Sequence, residues 1–171
     1  MSSWEKSLDD LTAGNERFMS GELKAKRSDA EIRKQLYEQG QKPIAVIVCT
    51  SDAYMPPELV FDAELGELYV IRTPDLSVDR EVIDGIEYAV KKLGVPLCMV
   101  VTHEDRPGDP EEDEGFSFFR RRNEDTHALI QAAVDKIRSS SALESYFETG
   151  AFFAVGATYD LETGAITVFN Y

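Results

Sequence analysis

The sequence predicts an α/β domain with a mainly parallel β-sheet flanked by helices and a C-terminal antiparallel hairpin strand. Three observations predict it. The segments Ile44-Ala45-Val46-Ile47-Val48-Cys49, Leu68-Tyr69-Val70-Ile71 and Leu97-Cys98-Met99-Val100-Val101 are short, continuous apolar runs. Runs of that kind mark strands buried on both faces of a parallel sheet. Between the second and third runs, Asp79 to Leu93 sets Val82, Ile83, Ile86, Ala89, Val90 and Leu93 at helical spacing, and Gly94 follows as a stop. Strand, helix and strand in that order make a right-handed crossover. Near the end, the apolar stretch Phe152 to Ala157 and the stretch Ala165 to Phe169 are separated by the turn Asp160-Leu161-Glu162-Thr163-Gly164, a hairpin signature.

The remaining elements follow from local signals. Trp4 to Ser20 carries Leu8, Leu11 and Phe18 among charged residues, which predicts an amphipathic helix interrupted at Gly14. Gly21 to Arg27 reads as a linker. Ser28-Asp29-Ala30-Glu31 is a capping-box pattern that opens a second helix, with Gly40 as its stop. Pro107 to Gly115 is an acidic, Pro/Gly-punctuated loop, and Arg120-Arg121-Arg122 after it reads as a solvated ion-pair face. A helix is expected over Asp125 to Arg138, with Ile130, Ala133, Val134 and Ile137 inward. The expected organisation is a helical arm over residues 1–40 and one α/β domain over 41–171.

Composition narrows the function classes. The 171 residues are 43% hydrophobic and 29% charged, the usual balance of a globular protein. The formal charge of −14 repels phosphate backbones, which argues against nucleic-acid binding. No apolar run is long enough to span a bilayer, and Met1 to Lys6 lacks the order of a secretion signal, so a cytoplasmic location without membrane contact is expected. Cys49 and Cys98 lie in apolar stretches and read as reduced core thiols.

In open parallel sheets, sites form beyond the carboxyl ends of the strands. Three loops stand there: Thr50-Ser51-Asp52-Ala53-Tyr54, Arg72-Thr73-Pro74-Asp75-Leu76 and Thr102-His103-Glu104-Asp105-Arg106. Around them the chain is similar to the β-carbonic anhydrases. The resemblance runs through Gln41 to Val48, Met55-Pro56-Pro57-Glu58-Leu59-Val60-Phe61-Asp62 and Leu65 to Arg72 without a gap. It continues in Gly85 to Val90, Leu93-Gly94-Val95-Pro96, the early Gly14-Asn15-Glu16-Arg17-Phe18, and the closing Val155 to Leu161 with Thr163-Gly164. Residues from about 107 to 123 fail to match and look shortened.

The resemblance implies a zinc hydratase fold, and the same alignment implies that most zinc ligands are gone. The family's first loop reads Cys-x-Asp-x-Arg; here those positions hold Thr50, Asp52 and Tyr54. Its third loop reads His-x-x-Cys-Gly; here it is His103-Glu104-Asp105-Arg106-Pro107, so His103 is the one retained ligand and Arg106 replaces a thiolate. The Ala-Gly-Asn of the second loop becomes Pro74-Asp75-Leu76. Catalytic zinc takes about three protein ligands, and neither a threonine hydroxyl nor a guanidinium serves well. No cofactor is therefore expected. Zinc would enter only through a rebuilt site of Cys49, His103 and a carboxylate (Asp52 or Asp105), although strand alternation turns Cys49 away from Thr50.

Several readings stay open at this level. An Arg106–Asp52 ion pair would plug a disused site, consistent with a pseudoenzyme. A small-anion pocket would use Arg106 and Arg72 for bicarbonate, carboxylate or phosphate, with Thr50 and Ser51 supplying hydroxyls. Carbonic anhydrase or another lyase or hydrolase activity, through a rebuilt or metal-free site, would draw on Asp52, His103 and Tyr54 as catalytic residues. His127 reads as a surface residue. The resemblance also implies a homodimer or higher homo-oligomer whose N-terminal helices embrace the neighbour. The apolar faces of the early helices (Trp4, Leu8, Leu11, Phe18, Ile32, Leu36) point the same way, having no evident place on a small sheet.

Overall fold

A computed structural model describes residues 2–24, 30–104 and 125–169. In chain order the elements are α1 (Ser3–Ser20), α2 (Ala30–Gln39), β1 (Ala45–Thr50), α3 (Pro57–Val60), β2 (Leu68–Thr73), α4 (Arg80–Leu93), β3 (Leu97–His103), α5 (Thr126–Arg138), α6 (Glu144–Glu148), β4 (Phe153–Tyr159) and β5 (Ile166–Phe169). One five-stranded sheet runs β2-β1-β3-β4-β5. The first three pairings are parallel, and β4–β5 is the antiparallel hairpin that the turn at Asp160 announced.

Two layers cover the sheet. Val46, Val48, Cys98 and Val100 face α4 and α5 through Ile86, Val90, Ile130 and Val134. Ala45, Ile47, Cys49, Met99 and Val101 face α1 and α3 through Leu11, Val60 and Phe61. Side chains of a strand alternate between these layers, which is why the strands read as unbroken apolar runs. The chain leaves β1 toward β2 on one side and leaves β3 toward β4 on the other. The crevice between the carboxyl ends of β1 and β3 is therefore the topological switch point, where α/β sheets bind ligands.

Helix α1 differs from expectation. It is continuous through Gly14, whose role is packing: an ideal Cβ there would lie 1.9 Å from the Phe61 carbonyl oxygen. A glycine lets the helix backbone touch another backbone, and tertiary contact repays its low helix propensity. The apolar residues of α1 also find a place on the chain's own sheet. Leu11 is buried, Leu8 and Phe18 pack against the same core, and Trp4 stacks on Phe153 with ring centroids 4.4 Å apart. For α1, the lack of an intrachain place thus no longer argues for a partner. Helix α2 has no fully buried residue. The Ser28 cap and the acidic loop lie outside the described residues. The short helices α3 and α6 were not anticipated. Each is about one turn, too short to show a helical period.

Candidate functional site

The loop after β1 carries Asp52 into the crevice, and the end of β3 brings His103 to meet it. His103 Nε2 lies 3.3 Å from Asp52 Oδ2, and Nδ1 lies 2.7 Å from the Glu104 carbonyl oxygen. The Thr50 hydroxyl donates to the same Oδ2, while the Tyr54 backbone N–H donates to Oδ1 at 3.1 Å. Thr50 Oγ1 is also 3.2 Å from Thr102 Oγ1. The Tyr54 ring stands edge-on to the imidazole, with centroids 5.1 Å apart. Burial raises the Asp52 pKa, but hydrogen bonds from His103 and Thr50 outweigh it and hold the carboxyl well below the usual range. Asp52 is thus an anion, and a weak base, at the centre of the cluster.

Arg72, at the end of β2, points into the first loop. Its Nη1 donates to the carbonyls of Thr50 (3.3 Å) and Asp52 (3.0 Å), and its Nη2 to that of Met55 (3.2 Å). Ser51 is exposed, and its backbone N–H donates to the Thr73 carbonyl at 3.0 Å. Arg106, Asp105 and the rest of the third loop lie outside the described residues. His127 is on the exposed side of α5, 4.6 Å from the Phe169 ring.

Cys49 lies in the layer opposite Thr50, with Leu11 and Met55. It is wholly buried, and burial pushes its thiol up to about 11 despite the nearby Arg72 charge. Its side chain faces the layer away from that of Thr50. Cys98 is buried in the other layer, its thiol likewise pushed up by burial. Among the described residues, no three His, Cys, Asp or Glu side chains are grouped to hold a metal ion. The described donors at the crevice are one imidazole, one carboxylate and threonine hydroxyls.

Thr102 and Thr73 were not singled out from the sequence. Register pairs Thr50 with Thr73, Thr102 with Thr158 and Thr158 with Thr167, and the Thr50–Thr102 contact links the two halves. One threonine from each strand therefore stands at the same level across the sheet. Thr73 Oγ1 is buried without a hydrogen-bond partner among the described residues. A usable signal existed: the first three apolar runs each give way to polarity at a threonine or just before one. Recognising it required the register, which no single segment reveals.

The chain is similar to known proteins in sequence and in fold. A family described as "Carbonic anhydrase" matches residues 44–108. The chain is 31% identical to "Carbonic anhydrase 2" of Mycobacterium tuberculosis, covering 90% of this chain and 87% of that protein. In fold it is similar to the β-carbonic anhydrase CcaA (TM-score 0.67, 18% identity, 95% of this chain and 87% of that one). It is also similar to one of two tetrameric β-carbonic anhydrases from Sordaria macrospora (TM-score 0.68, 17% identity, 83% of this chain and 89% of that one). Among the described residues, no helix is long and apolar enough to cross a membrane. With 31% identity to a curated relative over nine-tenths of its length and a fold similar to solved β-carbonic anhydrases, the chain belongs to the carbonic anhydrase family, in its β class.

Proposed function

We propose that this family member does not hydrate CO2 through zinc, and that its crevice is held instead by a hydrogen-bonded His103–Asp52–Thr50 cluster. The observation that carries this reading is the imidazole. Its Nδ1 meets the Glu104 carbonyl, an arrangement that also orients metal-bound histidines. Its Nε2, the nitrogen left to bind a metal, meets the Asp52 carboxylate instead. An imidazole facing an acceptor at both nitrogens is best satisfied with both protonated, and then it has no lone pair to give. Thr50 and Arg106, at the two positions where the family supplies thiolates, add no ligand. Family membership makes carbonate dehydration the activity to test first.

Within this reading the protein is a non-catalytic member that takes a small anion, for which Arg106 would supply the cation and Thr50 and Ser51 the hydroxyls. Asp52 opposes an anion unless Arg106 neutralises it, so Arg106→Ala should abolish binding. Association into a homodimer or larger homo-oligomer is part of the proposal, supported by the tetrameric relatives and by α2, which buries no residue within its own chain.

A second reading is favoured by one feature. His103 Nε2 and Asp52 Oδ2 converge on one point and could share a metal with a third ligand from the loop after Glu104. Elemental analysis of protein purified without chelator, with a CO2 hydration assay on the same sample, separates the two. Substoichiometric zinc and no hydration are expected. Stoichiometric zinc with hydration lost in His103→Ala would establish the second reading.

A further inference from the structure

The loop that carries Asp52 has little main-chain support. Among the described residues, the backbone of 51–55 is tied to other backbone through Ser51 N–H and the Thr73 carbonyl alone. Side chains hold the rest. Asp52 Oδ1 gathers the Tyr54 N–H from one side, and the Arg72 guanidinium gathers the carbonyls of Thr50, Asp52 and Met55 from the other. Three carbonyl dipoles converging on one point repel one another unless a cation sits among them. A guanidinium suits that place because it is always charged and presents its donors in a rigid plane.

We propose that Arg72 is a positioning residue: it sets where the first loop carries Asp52, and through Asp52 the orientation of His103. The chain of contact is short. Arg72 donates to the Asp52 carbonyl, and the Asp52 carboxylate meets His103 Nε2. This use of the guanidinium differs from anion capture, since its described bonds go to the protein's own carbonyls. Arg72 does this with or without a metal in the crevice, so the zinc result does not decide it.

The protein has two histidines, and they make the test direct. Imidazole NMR signals of full-length wild type and Arg72→Ala are compared, with His127 on α5 as the internal reference. The expected result is a displaced His103 signal with His127 unmoved. Guanidinium chloride far below denaturing concentrations should return the His103 signal toward wild type, and Arg72→Lys should not, since one ammonium cannot span three carbonyls in a plane. An unmoved His103 signal would overturn the proposal. So would His103 and His127 moving together, which would make Arg72 a general fold contact, or an equal return with sodium chloride, which would make the effect one of ionic strength.

Discussion

Asn15 joins three segments of the chain and the Asp52 carboxylate joins two, and they do so in opposite surroundings. Asn15 is buried on α1. Its Nδ2 donates to the Val60 and Gly164 carbonyls, and its Oδ1 accepts from Ile166 N–H, so one amide ties α1 to α3 and to the hairpin. Around it, Gly14 touches the Phe61 carbonyl, Phe18 packs on Gly164, and Arg17 pairs with buried Asp62 at 2.6 Å. Asp52 sits at the half-open carboxyl edge, and its partners are a hydroxyl, an imidazole and one backbone N–H. The first cluster is locked by backbone groups that cannot move without the fold. The second is held mostly by side chains, from the last residues of β1 and β3 and the loop between β1 and α3. A polar network buried against main chain specifies structure, whereas one at a strand-end crevice remains free to change its chemistry.

The largest effect should come from breaking the first region. Gly14→Ala pushes a methyl into the Phe61 carbonyl, a backbone atom that cannot yield cheaply, and should cost about 3 kcal/mol or prevent folding. Chemical denaturation measures it, and a cost under about 1 kcal/mol would mean that α1 is not clamped as described.

Asp52→Asn should cost less, about 1 kcal/mol at neutral pH, because its partners are partly solvated. The sign with pH is fixed by the lowered pKa. A depressed carboxyl contributes stability above its unfolded value of about 4 and loses it as pH falls below that. Wild type and variant should therefore differ at neutral pH and converge in acid. A gap that persists in acid would show that the amide disturbs shape rather than charge.

The smallest change is expected at Thr73→Val, which replaces a buried, unpartnered hydroxyl with a methyl of similar shape. Stability should hold or rise by up to about 1 kcal/mol. A clear loss would place a water or another partner on that hydroxyl and sharpen the contrast between the two regions.

Much of the fold was legible because its signals are local. Apolar runs bounded by polar turns defined four strands, the spacing of Val82 to Leu93 defined α4, and the turn at Asp160 defined the hairpin. Gly14 was misjudged because propensity is local and backbone contact is not. The pairing of Asp52 with His103 was not legible either, since one lies in the loop after β1 and the other ends β3, and they meet only when the two strands lie side by side.

By itself, the sequence determined the order of the strands and longer helices, the burial of the central strands on both faces, the family, and the residue types at the crevice. Those depend on side-chain chemistry and short-range period, which the chain carries in one dimension. Tertiary structure decided what each polar group does with its hydrogen bonds. It turned Arg72 toward three carbonyls, set His103 against Asp52, lined threonines across five strands, and made Asn15 a clamp. Hydrogen bonds are short and directional, so their partners are fixed only when distant segments are brought within about 3 Å.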